Sequence, residues 1–400
     1  MYLSSWDMNI LIVLGTHYPH LGGMSSHIST LSKELKKRKN NVYIISLSNF
    51  PALVRLTFTI IQYSFDAIKK GLGSFLRQVL FKLLMSIIVF FYCLVKDIDL
   101  INAHDCISLN STWLAKKFLK TPTILTVHGY LTFERIAHGD LDRKATTLIK
   151  LSIEEERRAY KTAHYIITVD SRLRAYILRF NVSKSKVIKI ENFVDPEEFH
   201  IDLDKTICRR MFNIPSEKVV ILIPRRLVEK NGVFLPLHAL DYIPEKIRNE
   251  LLLIYCGNGP LEKDIRRYVQ KNRLKNVILM GAVPHEKMKY MYKASDIVLI
   301  PSIPVKGVEE ATSISALEAM AVGVPLIASN IGGLREIIID NVNGILVQPE
   351  PESIAKAITD LLLGIKCVNI SKAQRFVKEK YIKNIEKIIC IYNEAVRRQG

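Results

Sequence analysis

Short apolar runs alternate with amphipathic stretches along nearly the whole chain. Asn9–Leu14 reads as a strand, Ser25–Lys39 as a helix and Val42–Ser46 as a second strand. Asp99–Ala103, Thr123–Val127 and Tyr165–Val169 follow, separated by helical stretches. Such alternation predicts parallel sheets covered by helices on both faces. It restarts near residue 218, where Val219–Ile223, Leu251–Tyr255, Val277–Met280, Ile297–Ile300, Pro325–Ala328 and Gly344–Val347 are strand-like. Pro260–Lys271 and Ser353–Leu363 are helix-like segments between them. The join at Asp195–Ser216 is polar and holds Pro196 and Pro215, and residues after Ser371 read as one or two closing helices. The expected fold class is therefore α/β, with domains at 1–200 and 201–370 and a helical 371–400 that crosses back to the first.

One segment breaks the rhythm. Leu83–Val95 is apolar apart from Ser86, and the longer Leu72–Val95 is interrupted by Arg77 and Lys82. The unbroken run falls short of the roughly 20 apolar residues that a membrane span needs. Two readings fit it: a crossover helix buried against the sheet, or a partly exposed helix touching a membrane, with Lys69, Lys70, Arg77 and Lys82 as basic neighbours. The buried crossover is the favoured expectation.

With 48% hydrophobic and 24% charged residues, the chain has the apolar content of a folded protein. Six scattered cysteines form no C-x-x-C pair, which speaks against a zinc or redox motif and fits a reducing compartment. No secretory signal is visible, so a cytoplasmic location is expected, and the N-x-S/T triplets at Asn110, Asn181 and Asn369 read as chance matches. Residues 1–7 read as an appendage before Met8. The net charge of +18 fits an anionic partner such as a membrane surface, nucleic acid or a phosphorylated substrate, and fits equally a merely solvated lysine-rich surface. No nucleic-acid-binding module accompanies it, so nucleic acid is not expected.

Three constellations carry candidate chemistry. Gly22-Gly23 follows a strand and opens a helix, where glycines let backbone N–H groups approach a phosphate. Arg225-Arg226 with Lys230 follows the strand Val219–Ile223, a suitable clamp for a diphosphate at the carboxyl end of a parallel strand. Glu310 lies just before a predicted helix and Glu318 about two turns further on, with Thr312 and Ser313 as expected helix caps. Asp97-Ile-Asp99 matches a metal-binding D-x-D by letters, but it precedes a strand in the first half and reads as a turn. No G-x-G-x-x-G is present, which speaks against the competing reading as a nicotinamide-dependent oxidoreductase.

The stretch from Glu310 through Glu318 to Pro325 resembles the E-x7-E signature of the retaining glycosyltransferases of family 4. The resemblance extends to Tyr255–Leu261, to Met280–Glu286 with Val283, and to Ala328–Glu336. In the first half it takes in Gly22-Gly23, His104-Asp105 and His128-Gly129. It implies a GT-B fold, two Rossmann-like domains facing across a cleft, and transfer of a hexose-type sugar from a UDP- or GDP-sugar with retention. It places Glu318 on the ribose hydroxyls, Glu310 and His128 beside the donor sugar, and Arg226 and Lys230 on the diphosphate. Gly22, Gly23, Gly257, Val283, Ser313 and Ile314 complete the implied donor site. The family's more common form has its lysine where this sequence has Asn231, and Ala311 and Ser313 replace its usual glycines. No cofactor and no essential metal are expected. The expected acceptor is a lipid-linked or envelope glycan, with peripheral contact with an anionic membrane. A catalytically silent nucleotide-sugar-binding protein is the alternative from another class.

Overall fold

The structure, a computed structural model, describes residues 7–19, 22–137 and 139–398. Most of the expected appendage at 1–7 lies outside these residues. The chain divides into two compact units. The first holds most of the chain up to Glu191 together with residues from Asn384 onward; Gly22 and Gly23 group with the second, which spans Asn192–Lys383.

The first unit is built on six parallel strands: β1 (Asn9–Val13), β2 (Asn41–Ile45), β3 (Leu100–Ala103), β4 (Thr123–Val127), β5 (Tyr165–Thr168) and β6 (Val187–Lys189), in the order β2-β1-β3-β4-β5-β6. The second repeats the plan with β7 (Val219–Ile223), β8 (Leu251–Cys256), β9 (Val277–Gly281), β10 (Ile297–Ile300), β11 (Leu326–Ser329) and β12 (Ile345–Val347), ordered β12-β11-β10-β7-β8-β9. In each sheet the first strand lies beside two later ones, so strand order reverses there. A crevice at such a reversal, at the carboxyl ends of the strands, is where open α/β sheets take ligands.

Both faces of the sheets are covered, which is why the strands read as continuous apolar runs. Along β7, Val220 and Leu222 pack into one core with Ile314 and Leu317, while Ile221 and Ile223 enter the opposite core with Ile354 and Ile358. Each such side chain, fully removed from water, contributes about 1.5–3 kcal/mol. In the first unit, Ile12 and Leu14 pack with Ile28 of α1 (Gly23–Lys37), while Leu11 and Val13 face Phe81, Met85 and Val89.

Those three residues belong to α3 (Leu72–Lys96), which follows α2 (Ala52–Ile68) in a helical hairpin. Asp66 ties the hairpin turn: its Oδ1 accepts from the amides of Gly71, Gly73 and Ser74. The helices meet so closely at Gly73 that a Cβ there would fall 1.9 Å from the carbonyl oxygen of Gln62. The expected buried crossover is found on one face only, since just 28% of the most apolar window of α3 is buried. The expected closing segment is a single helix, Ile370–Arg397. Its Tyr392 hydroxyl accepts from Asn102 Nδ2 of β3 at 2.6 Å, within the first unit.

Candidate functional site

In the second unit, Arg225 follows the carboxyl end of β7 and Ser302 that of β10, the two neighbouring strands at which order reverses. Arg225 bridges them. Its Nη2 donates to Ser302 Oγ at 3.1 Å, to Asn231 Oδ1 at 2.5 Å and to Glu310 Oε2 at 2.6 Å; its Nη1 donates to Ser313 Oγ at 3.3 Å. The ion pair is buried, with side chains 9% and 12% exposed. Burial pushes the Glu310 pKa up, but the charge and hydrogen bonds of Arg225, then the charge of Lys230, outweigh it and leave Glu310 below its usual range. Glu310 is thus a fixed carboxylate that accepts hydrogen bonds and does not serve as a proton donor near neutral pH.

Arg226 is exposed, and its carbonyl oxygen accepts from Asn231 Nδ2 at 2.7 Å. Asn231 therefore spaces the two arginines, one through its side-chain oxygen and one through its nitrogen. The fold here depends on Gly257. Its φ is 151°, and a Cβ would lie 2.2 Å from the carbonyl oxygen of Arg225.

The helix Ile314–Val322 starts beside this network, and its first amides have no partner inside the helix. Ser313 occupies the N-cap position but makes no side-chain cap bond, contrary to expectation. Its hydroxyl is turned to Arg225 instead, while the Thr312 carbonyl accepts from Asn192. Glu318 lies on the same helix and is 4% exposed. Both its oxygens are engaged: His285 Nε2 lies 3.0 Å from Oε1, and the Tyr292 hydroxyl donates to Oε2 at 2.6 Å. Burial first, and then the Glu318 charge, push the Tyr292 pKa well up, so the phenol stays a donor. Each carboxylate oxygen keeps a second lone-pair direction for a further donor. Val283 is partly buried against the same core, two residues before His285.

In the first unit, His104 follows β3, His128 follows β4, and His27 lies on α1. His104 Nδ1 and His128 Nε2 are 3.0 Å apart, and the two rings stack with centroids 5.3 Å apart. His27 meets His128 edge-on at 5.1 Å. Burial holds the His27 pKa down at about 4, and burial and the neighbouring imidazoles drive His104 and His128 well below their usual range. The cluster is neutral. Its ligand atoms all lie within 4.8 Å of one another, a spacing open to a metal ion. The contact between His104 and His128, however, already joins two of the ring nitrogens as donor and acceptor. Asp105 caps the next helix and accepts from the amide of Gly15, tying the ends of β1 and β3 together. Gly22 has a φ of 148° just before α1, which Gly23 begins. Of the D-x-D, Asp97 ends α3 and Asp99 accepts from the Asn9 amide at 2.7 Å, so both carry structural roles.

The structure thus joins Glu310 and Ser313 to Arg225, sets the exposed Arg226 next to it in the chain and Lys230 within electrostatic reach of Glu310, and carries Ile314 and Glu318 on the adjoining helix. Sequence pattern alone does not reveal the pairing of Arg225 with Glu310, nor His285 and Tyr292 as holders of Glu318. The doubled arginine and the Val283-Pro284-His285 turn were their visible signals.

The family profile "Glycosyltransferase Family 4" matches residues 21–198, and "Glycosyl transferases group 1" matches residues 204–382. An uncharacterised glycosyltransferase of Methanocaldococcus jannaschii is 34% identical over 320 residues, which are 76% of this chain and 78% of that protein. A D-inositol 3-phosphate glycosyltransferase of Xylanimonas cellulosilytica is 23% identical over 257 residues, covering 62% and 60% of the two chains. Among solved structures, Anabaena HepE in complex with UDP-glucose superimposes with a TM-score of 0.69 at 16% identity, covering 96% of this chain and 99% of that one. The chain therefore belongs to the family 4-like glycosyltransferases of the GT-B fold, each of its two units a Rossmann-like domain.

Proposed function

We propose that this glycosyltransferase moves a hexose-type sugar from a UDP- or GDP-sugar to a lipid-linked or cell-envelope glycan, with retention at the anomeric carbon. It works without an essential metal, at the cytoplasmic face of a membrane. The observation that carries the reading is the Arg225–Glu310 network at the strand-order reversal of the second sheet. The UDP-glucose held by HepE, a protein of like fold, supports a nucleotide-sugar as donor.

Breaking a sugar–phosphate bond develops negative charge on the departing diphosphate and positive charge on the sugar ring. The exposed Arg226, Lys230 and the first amides of the helix Ile314–Val322 stabilise the former. Glu310, held ionised by Arg225, accepts hydrogen bonds from the sugar hydroxyls and favours the latter. Glu318, oriented by His285 and Tyr292, takes the ribose diol. His128 of the first unit, a neutral imidazole able to give and accept a hydrogen bond, is a further candidate catalytic group. The acceptor hydroxyl attacks the anomeric carbon from the face that the diphosphate leaves; as the sugar–phosphate bond breaks, the hydroxyl proton passes to the departing phosphate oxygen.

Slow hydrolysis of the donor in the absence of acceptor tests this. The anomer first released, read by proton NMR before it equilibrates, is expected to match the donor's, and excess chelator is expected to leave the rate unchanged. The opposite anomer would refute retention. A rate abolished by chelation and restored by magnesium would refute metal independence.

A further inference from the structure

We propose that the α2–α3 hairpin is the surface by which the protein docks on an anionic phospholipid bilayer. This deepens the membrane contact of the proposed function, on which it rests only for the acceptor's location; the hairpin geometry stands independently of the donor site.

One face of α3 belongs to the fold: Phe81, Met85, Val89 and Cys93 pack with Leu11, Val13 and Ile101 of the sheet. The other face does not. Leu83, Ile87, Phe91 and Val95 recur at helical spacing and are 51%, 48%, 59% and 73% exposed. α2 is more extreme, since Phe58 is its one buried side chain. Its Leu53, Leu56, Ile60 and Tyr63, again at helical spacing, are 54–75% exposed. Scattered exposed apolar residues are ordinary, but two adjoining helices that each present such a row are not. The π-helical turn Ala115–Leu119 adds Phe118, 61% exposed and 6.1 Å from the ring of Phe90.

α3 is long and apolar enough to cross a membrane by composition. It cannot do so from this fold, because its buried face is part of the sheet's core and β3 follows it directly. A helix with one face held in the protein and the other apolar lies in the plane of the interface.

Charge selects the partner. Residues 51–96 carry Arg55, Lys69, Lys70, Arg77, Lys82 and Lys96 against one acid, Asp66, whose Oδ1 is taken by three backbone amides; Lys82 is paired with Glu155, which leaves the other five to the surface charge. Lys69 and Lys70 are exposed at the hairpin turn, and Lys117 and Lys120 are exposed beside α3. Apolar rows edged by cations complement acyl chains beneath anionic headgroups. Covering the same face with a second copy of this chain would set cations against cations.

Sedimentation with vesicles at moderate salt tests the proposal. The probes are phosphatidylcholine alone and phosphatidylcholine mixed with phosphatidylglycerol. The native chain is expected to pellet with the anionic vesicles only. A Lys69→Glu/Lys70→Glu variant and an Ile60→Ser/Tyr63→Ser variant are each expected to bind at least about tenfold more weakly. Both change exposed residues outside the donor site and should keep the native melting temperature and rate of donor hydrolysis, so a fault in the proposed chemistry is separable from a fault here. Three results would overturn the proposal: no binding to anionic vesicles; binding unchanged in both variants; or a lipid-free dimer in ultracentrifugation that the apolar variant alone dissociates, which would assign the face to a second copy.

Discussion

Arg225 is bonded at once to Asn231, Ser302, Ser313 and Glu310. The amide oxygen of Asn231 is taken up by the guanidinium of Arg225. Replacing Arg225 by Met would leave Glu310 ionised, buried and without its cation, a change that costs about 3 kcal/mol or more. Urea unfolding is expected to show that loss, and Arg225→Lys only part of it, because an ammonium cannot reproduce the planar fork. Equal stability of all three would show that the network contributes nothing. Gly257→Ala should cost about 2 kcal/mol or more, as the strained φ and the close carbonyl oxygen of Arg225 leave no room for a methyl group. A melting temperature unchanged from native would contradict that packing.

His27 makes a different statement. Its imidazole is held neutral in the fold with a pKa of about 4, while the unfolded chain protonates near 6.5. Between those values the unfolded state binds more protons, so stability falls as pH drops below about 6.5. His27 alone accounts for about 1 kcal/mol of loss between pH 7.5 and 5.5. His27→Asn should lessen the pH dependence by that amount, measured by urea unfolding at both pH values. An identical pH dependence would mean that another group controls it.

The helix Ile314–Val322 shows what spacing in the sequence conveys and what it hides. Glu310 and Glu318 were legible as a pair around a helix start, and the helix is where the pattern put it. The partners of Glu318 were not, because His285 and Tyr292 come from the helix His285–Ala294, seven positions apart on one face. The Val283-Pro284-His285 turn marks where that helix begins, but nothing local names Glu318 as the partner across the fold. Ser313 was misread for a related reason: a serine before a helix caps it unless a stronger partner competes, and Arg225 is that partner. If Glu318 holds the ribose as proposed, Tyr292→Phe should loosen that carboxylate and raise the donor KM by about tenfold with little change in kcat; it should also cost about 1 kcal/mol of stability. An unchanged KM would remove Glu318 from the ribose. Strands buried on both faces are legible as apolar runs, whereas β6, an edge strand in which only Val187 is buried, offers no such run.

Both sheets follow one plan, and in each a polar bridge closes the strand-order reversal. Asp105 reaches Gly15 in the first and Arg225 reaches Ser302 in the second. The sequence made this doubling visible because runs of apolar residues respond to burial on two faces. It could not decide the fate of α3, because an apolar helix has the same letters whether protein or lipid covers it. The structure assigns Phe81, Met85 and Val89 to the core and leaves Leu83, Ile87 and Phe91 outside. That division, with a net charge of +18, is the basis of the docking surface proposed above.

In the proposed function the Arg225–Glu310 network holds the donor sugar. The most direct measurement of this is nucleotide release from a panel of UDP- and GDP-sugars by the native chain, Arg225→Met and Glu310→Gln, with each variant shown folded by circular dichroism. The predicted result is release from one donor, reduced at least about a hundredfold in both variants, equivalent to about 2.7 kcal/mol of transition-state stabilisation. Release undiminished in both variants, or none from any donor even with membrane lipid extract added, would contradict it.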